Sequence, residues 1–153
     1  MKFTLKEDVA LPAGAVYAAV TDFGSFERAA ARHGARVVRT RPDGPSGGPA
    51  WSVWFRYRRR ERRIVLSVER ADPPGGLWLA GSSPNIELAV EVRVLALSRD
   101  RSRLSLGIEV RPKTLSARFL IQSARLARGR IERRLAARLA AFARGCERGP
   151  LQR

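Results

Sequence analysis

The chain predicts an α+β fold: about seven antiparallel strands in a meander, two short helices after the first strand, and one long helix at the C-terminal end. Three observations carry this. Short consecutive runs in the middle of the chain alternate apolar with polar residues and are separated by clusters of Pro, Gly, Asp and Ser, the pattern of hairpin-linked strands. From Lys113 onward the apolar residues recur at helical spacing instead. The 153 residues, 44% hydrophobic and 29% charged, suit one globular unit with a buried core and are too few for two ordinary domains. We place that domain at residues 1–145, with a short tail at 146–153.

Taking the elements in order, "KFTLKEDVA" alternates Phe3, Leu5 and Glu7 with Lys2, Thr4 and Lys6, which predicts a first strand. Pro12 suits the first turn of a helix, where its missing N–H has no partner to lose. Val16, Ala19, Val20 and Phe23 then repeat at helical spacing. Gly24 and Ser25 interrupt the repeat before "FERAAARHG", a second short helix ended by Gly34. Strands follow in "ARVVRT", "AWSVWFRYR", "RRIVLSVERA", "GLWLAG", "NIELAVEVRVLAL" and "SRLSLGIEVR", with the turn-rich "RPDGPSGGP" between the first two of these.

The stretch "SVWFRYRRRERRIVLSVER" holds five arginines and one glutamate between Tyr57 and Ile64. Such a knot suits a nucleic-acid grip, a membrane-docking patch, or the wet end of a hairpin. If Trp51, Val53, Phe55 and Tyr57 point inward, the two-residue period turns Arg56 and Arg58 outward and leaves Arg59 to Arg63 around the turn. The knot is then a solvated hairpin tip. Trp54 falls on the outer face, where it either stacks on a base or lipid or makes a cross-strand cation-π pair, the commoner arrangement. Glu87, Glu91, Glu109, Arg93 and Arg111 share outward parity, so carboxylates face much of the basic charge there.

In the C-terminal segment Leu120, Ala124, Ala127, Ile131, Leu135, Leu139 and Phe142 form one stripe, with Arg118, Arg125, Arg130, Arg133 and Arg134 on the other side. Gly145 and the pair Gly149-Pro150 mark its end. Leu115, Phe119 and Leu126 fall away from the stripe, so the first half of the helix is apolar on two sides. Contact with a loop or another helix is the ordinary explanation, and a dimer or membrane contact the sharper one.

The formal net charge is +16, which favours acidic partners on physical grounds. Yet all but three of the 30 basic residues are arginine, a skew that G/C-rich coding bias produces without selection for binding. No helix-turn-helix spacing, zinc-finger ligand set or paired aromatic RNA-binding signature is present, so nucleic acid is not the expected partner. An anionic membrane suits the segment from Lys113 to Arg153, which has eleven basic residues and two acids; Arg125, Arg130, Arg133 and Arg134 are its basic surface candidates. Cys146 is the only cysteine, which excludes an intrachain disulfide. "VALPAGAVYAAV" is preceded by Lys6, Glu7 and Asp8 and broken by Pro12 and Gly14, a poor signal peptide or span, so a soluble cytoplasmic monomer or homodimer is expected.

The order strand, two short helices, long meander and closing helix resembles the START-like, or SRPBCC, superfamily with its helix-grip fold. "VALPAGAVYAAVTDFGSFER" looks like that superfamily's opening, a strand leading to a proline-started helix and an aspartate-phenylalanine turn. "VERADPPGGLWLAG" resembles its Asp-Pro-Pro corner, here Asp72, Pro73 and Pro74. The resemblance covers nearly the whole chain. It implies a sheet curled around the long helix, with an apolar cavity between them for a lipid, sterol, polyketide or similar molecule. The residues agree independently: Trp51, Val53, Phe55 and Tyr57, then Ile64, Leu66 and Val68, then Ile86, Leu88, Val90, Val92 and Val94, then Leu104, Leu106, Ile108 and Val110 share one face of successive strands.

A small hydrophobic molecule is therefore the expected partner, held by Phe23, Phe26, Trp51, Phe55, Tyr57, Leu66, Leu88 and Leu106, with Phe26 or the turn at Gly47-Gly48 at the rim. A soluble carrier or binding protein is the first reading; a polyketide cyclase or aromatase-like enzyme is the alternative that the resemblance supplies. A third reading puts function on the basic exterior. No catalytic residue, metal or cofactor is assigned. The inward faces offer only the Tyr57 hydroxyl, and Tyr17 and Tyr57 are candidates to orient a polar head group. His33 suits a helix C-terminus, and Asp22 a turn hydrogen bond. No metal-ligand spacing, phosphate loop or nucleophile elbow occurs.

Overall fold

The computed structural model describes residues 1–41 and 48–149. In chain order the elements are β1 (Lys2–Val9), α1 (Ala13–Val20), α2 (Phe23–Arg32), β2 (Arg36–Arg41), β3 (Ala50–Tyr57), β4 (Arg60–Asp72), β5 (Gly76–Ser82), β6 (Ile86–Ser98), β7 (Arg101–Pro112), α3 (Leu115–Leu126) and α4 (Arg128–Arg148). The seven strands form one antiparallel sheet in the order β1-β7-β6-β5-β4-β3-β2. Strands β2 to β7 are the expected meander. Strand β1 pairs with β7, so α1 and α2 carry the chain across one end of the sheet from one edge to the other. Register shifts at Arg39/Arg41, Val68/Arg70 and Ala96/Ser98 bend and twist the strands, as bulges do, and the sheet is curved.

Two apolar clusters fill the concave side. Leu5, Val9, Val16, Tyr17, Val94 and Leu104 join Leu139, Ala143 and Cys146 of α4 in the first. The second gathers Trp51, Val53, Ile64, Val68 and Leu77, with Phe23 of α2 against them. The inward parity expected for β3, β4 and β6 is observed, and β5 adds Leu77 and Leu79, which also face in.

Helix boundaries differ from expectation in three places. Helix α2 starts at Phe23 rather than Phe26, because the Asp22 carboxylate accepts the Ser25 backbone N–H at 3.2 Å and its hydroxyl at 2.7 Å, capping the first turn. The expected single closing helix is divided at Ala127, whose N–H turns to the Ala124 carbonyl at 3.0 Å, with the poor helix former Gly129 just beyond. Helix α4 then continues through Gly145 to Arg148 and buries Cys146, so the domain extends past residue 145. The small side chains of Ala143 and Cys146 let α4 approach β1 and take the core positions, and Phe142 is left exposed beside them. Residues 150–153 of the expected tail, like Gly47 of the expected rim, lie outside the described residues.

The arginine knot is a hairpin tip, as parity predicts. Tyr57 pairs with Arg60, and the loop is Arg58-Arg59 with φ of 53° and 64°. Both residues sit in the left-handed region that such two-residue turns require and that Asn-Gly fills with less strain. Arg58→Asn with Arg59→Gly is expected to raise the unfolding free energy by about 1–2 kcal/mol. A denaturant midpoint that does not rise would show that the tip's arginines offset their own strain.

The outer face neutralises much of its charge. Arg103 forks onto Asp8 across β7 and β1 (2.8 and 3.4 Å), Arg111 pairs with Glu109 (2.5 Å), Arg93 with Glu91, and Lys113 approaches Glu87 (3.9 Å). The Arg103 hydrogen bond holds the Asp8 carboxyl below its ordinary range. Trp54 lies between Arg36 of β2 and Arg63 of β4, its registered neighbours, at 4.0 and 5.5 Å from the ring. The cross-strand cation-π reading therefore holds. Trp78, also outward, is covered the same way by Arg70 (4.0 Å) and Arg93 (5.3 Å).

Candidate functional site

The curved sheet and its helices do not meet evenly. Helix α4 packs along β1, α1 reaches β6 and β7, and α3 leans on β7. Val20 of α1 and Phe23 of α2 are the helix side chains packed against the cluster on the inner sides of β3 to β6. Inward residues of a filled core are fully buried; Phe55, Leu66, Leu79, Ile86 and Leu88 are instead only half-buried. Leu120 and Ala124, on the sheet-facing side of α3 with the buried Ala117 and Ile121, also keep accessible surface. The result is an apolar, water-accessible concave surface. Gly81 is part of its floor: a Cβ there would lie 2.8 Å from Leu66 Cδ2, 3.0 Å from Ile64 Cδ1 and 3.1 Å from Leu88 Cβ, so the row Leu66–Gly81–Leu88 closes only because the middle residue has no side chain.

Phe23, Trp51, Phe55, Leu66 and Leu88 come together in the second cluster. Leu106 belongs to the other cluster, under α4. Trp51 is 0% exposed, held edge-on by Phe23 and Phe26, each with its ring centroid 5.4 Å away. It forms the closed end of the surface rather than accessible lining. Its indole Nε1–H has no acceptor among the described residues. Phe26 is partly exposed at the outer side of that aromatic group, while Gly48 backs onto Val68, whose Cβ a side chain at 48 would meet at 2.5 Å.

The two tyrosines are not where a head-group role would put them. The Tyr17 hydroxyl is buried and donates to the Gly76 carbonyl at 2.9 Å, tying α1 to β5. Burial, with a smaller contribution from the Asp72 charge, pushes its pKa up. Tyr57 is 41% exposed at the hairpin end, with the Arg58 and Arg62 guanidiniums 5.7 and 5.5 Å from its ring. It fell on inward parity, but there the strand has run past the elements that could cover it.

Glu132 is a group the strand-by-strand reading passed over. It is half-buried on α4, three residues before Leu135 and seven before Leu139, on the side of the helix those leucines share. That spacing was visible in the sequence. His33 is the exposed C-cap of α2. Among the described residues no three His, Cys, Asp or Glu side chains are grouped to hold a metal, and no helix is long and apolar enough to cross a membrane.

Comparison of whole structures returns proteins of one architecture at low sequence identity. The Zhui aromatase/cyclase from Streptomyces sp. R1128 superposes with a TM-score of 0.73 over 97% of this chain and 94% of its own, at 16% identity. Norcoclaurine synthase from Thalictrum flavum, in complex with dopamine and hydroxybenzaldehyde, gives 0.68 over 98% and 88% at 10% identity. A START superfamily protein from Mycobacterium smegmatis gives 0.54 over 87% and 95% at 11% identity. No family model matches the chain, and no curated protein matches it in sequence. The seven-stranded curved sheet, the paired short helices after β1, the closing helix and these likenesses together identify the chain's architecture as the START-like, or SRPBCC, helix-grip fold.

Proposed function

We propose that the protein binds a small hydrophobic molecule on the concave side of β3 to β6, under α3, and acts as its carrier. The observation that carries this is the partial exposure of Phe55, Leu66, Leu79, Ile86 and Leu88, apolar side chains that face inward and still touch water. Leaving such surface wet costs roughly 25 cal/mol per Å², which an apolar ligand recovers on binding. These five side chains carry no charge and select by size and apolarity, which suits a lipid-like or polyketide-like molecule. Phe23 and Trp51 close one end, and Phe26 stands at the rim.

A polyketide cyclase-like enzyme is the second reading, favoured by the likeness to an aromatase/cyclase over nearly the full length of both chains. Holding a flexible chain folded can itself speed its cyclisation. Glu132 is then the first acid to test, since Glu132→Gln removes its charge and would lower turnover without changing ligand affinity.

Titration with a neutral environment-sensitive dye, N-phenyl-1-naphthylamine, tests the shared premise. Saturable binding at one site per chain, displaced by apolar material extracted from protein purified without detergent, supports it. If neither this dye nor any extracted or added apolar compound binds, both readings fail.

A further inference from the structure

We propose that α3 docks the protein on an anionic lipid bilayer through the ridge Leu115, Phe119 and Leu126. This goes beyond the ligand-binding reading and does not depend on it. Ala117 and Ile121 bury one side of α3 against the domain. On the opposite side Leu115, Phe119 and Leu126 are 68%, 61% and 93% exposed. Their spacing of four and seven residues puts them in a single row. Isolated exposed leucines are commonplace, but a continuous row on a helix that already has one apolar side is not explained by folding.

The flanks of the ridge carry charge of one sign. Arg118 and Arg125 lie along one side of it, Gln122 lies within it, and Ser116 and Ser123 lie along the other side. Helix α3 contains no acidic residue. On the outer face of the sheet the arginines are matched by Asp8, Glu91 and Glu109, whereas Arg118 and Arg125 make no ion pair among the described residues. Arg130, Arg133 and Arg134 continue the positive field on the exposed side of α4.

An anionic bilayer uses both features at once, apolar side chains at the acyl boundary and guanidiniums among the phosphates. At 12 residues the helix is about 18 Å long, suited to lying in the interface and too short to span it. A second copy of the chain fits less well. Three side chains fall far short of the ~800 Å² per partner of a stable interface, and a two-fold contact would bring the unpaired arginines of both copies together. Nucleic acid would engage the charge but leave the leucines wet.

The test is vesicle co-sedimentation of the full chain at about 0.15 M ionic strength, with phosphatidylcholine alone and with phosphatidylglycerol mixed in. Binding is expected only to the mixed vesicles. Leu115→Ser/Phe119→Ser/Leu126→Ser should weaken it at least about ten-fold, and Arg118→Gln/Arg125→Gln by roughly 30-fold. Both variants change exposed positions, and an unaltered circular dichroism spectrum and denaturation midpoint would certify their fold. The proposal is overturned if mixed vesicles do not bind, if the serine variant binds them like the parent, or if competing duplex DNA strips parent and serine variant from vesicles alike. It is also overturned if sedimentation equilibrium finds a dimer that the serine variant abolishes.

Discussion

Trp51→Ala is expected to lower the unfolding free energy by about 3–5 kcal/mol, the usual cost of truncating a large buried aromatic. The residue is completely buried at the point where β3 meets α2, with Phe23 and Phe26 edge-on to its ring and the Arg39 guanidinium 5.9 Å away. Val53, Ile64, Val68 and Leu77 complete the cluster, so removing the indole leaves a void bounded by three strands and a helix that cannot all collapse into it. Domains of this size have about 5–15 kcal/mol in total, so a large part of the stability goes with one side chain.

Trp51→Phe supplies the contrast. The indole Nε1–H is buried without an acceptor among the described residues, and an unmet buried donor costs about 1–3 kcal/mol. Phenylalanine loses ring volume but also removes that donor, so its cost should stay below about 1.5 kcal/mol. Chemical denaturation of both variants decides it. Equal losses for alanine and phenylalanine would mean that the indole N–H is satisfied after all.

Leu88→Trp is expected to reduce neutral-dye affinity at least about ten-fold while changing the unfolding free energy by less than about 1 kcal/mol. Leu88 stands on β6 beside Gly81, with Leu66 across the same row on β4, and all three face the concave side. If the space above them is open, the indole extends into it, covers apolar surface that was wet, and excludes the ligand. If the space is packed, the same substitution has nowhere to go and overpacking costs about 1–3 kcal/mol, with no dye site to lose. Dye titration and denaturation on one variant thus separate a binding cavity from a solid core.

Much of this architecture was legible in local pattern. Alternation in "AWSVWFRYR" put Trp51, Val53 and Phe55 inside and Trp54 outside, and it reduced the arginine knot to a turn; register then placed Arg36 and Arg63 on the two sides of Trp54. Side-chain direction along a strand has a period of two whatever the partner, so the chain specifies it without long-range information. The closing stripe through Leu135 and Leu139 was readable for the same reason, with the helical period in place of two.

What depended on assembly was how deeply each correctly oriented side chain is covered. Tyr57 points along the inward parity of β3 yet is exposed, because its strand outruns the helices. Trp51, three periods of the same alternation earlier, is sealed by Phe23 and Phe26 arriving from α2. Tyr17 lost its free hydroxyl to a carbonyl 59 residues away, and Phe142 gave its core place to Ala143 and Cys146, whose small side chains let α4 lie against β1. Burial is a property of what comes across from another element, which no local period encodes. The open concave surface has the same origin: α4 packs with β1, β7 and the Val92–Val94 end of β6, and Phe55, Leu66 and Leu88 farther along the sheet are left only partly covered.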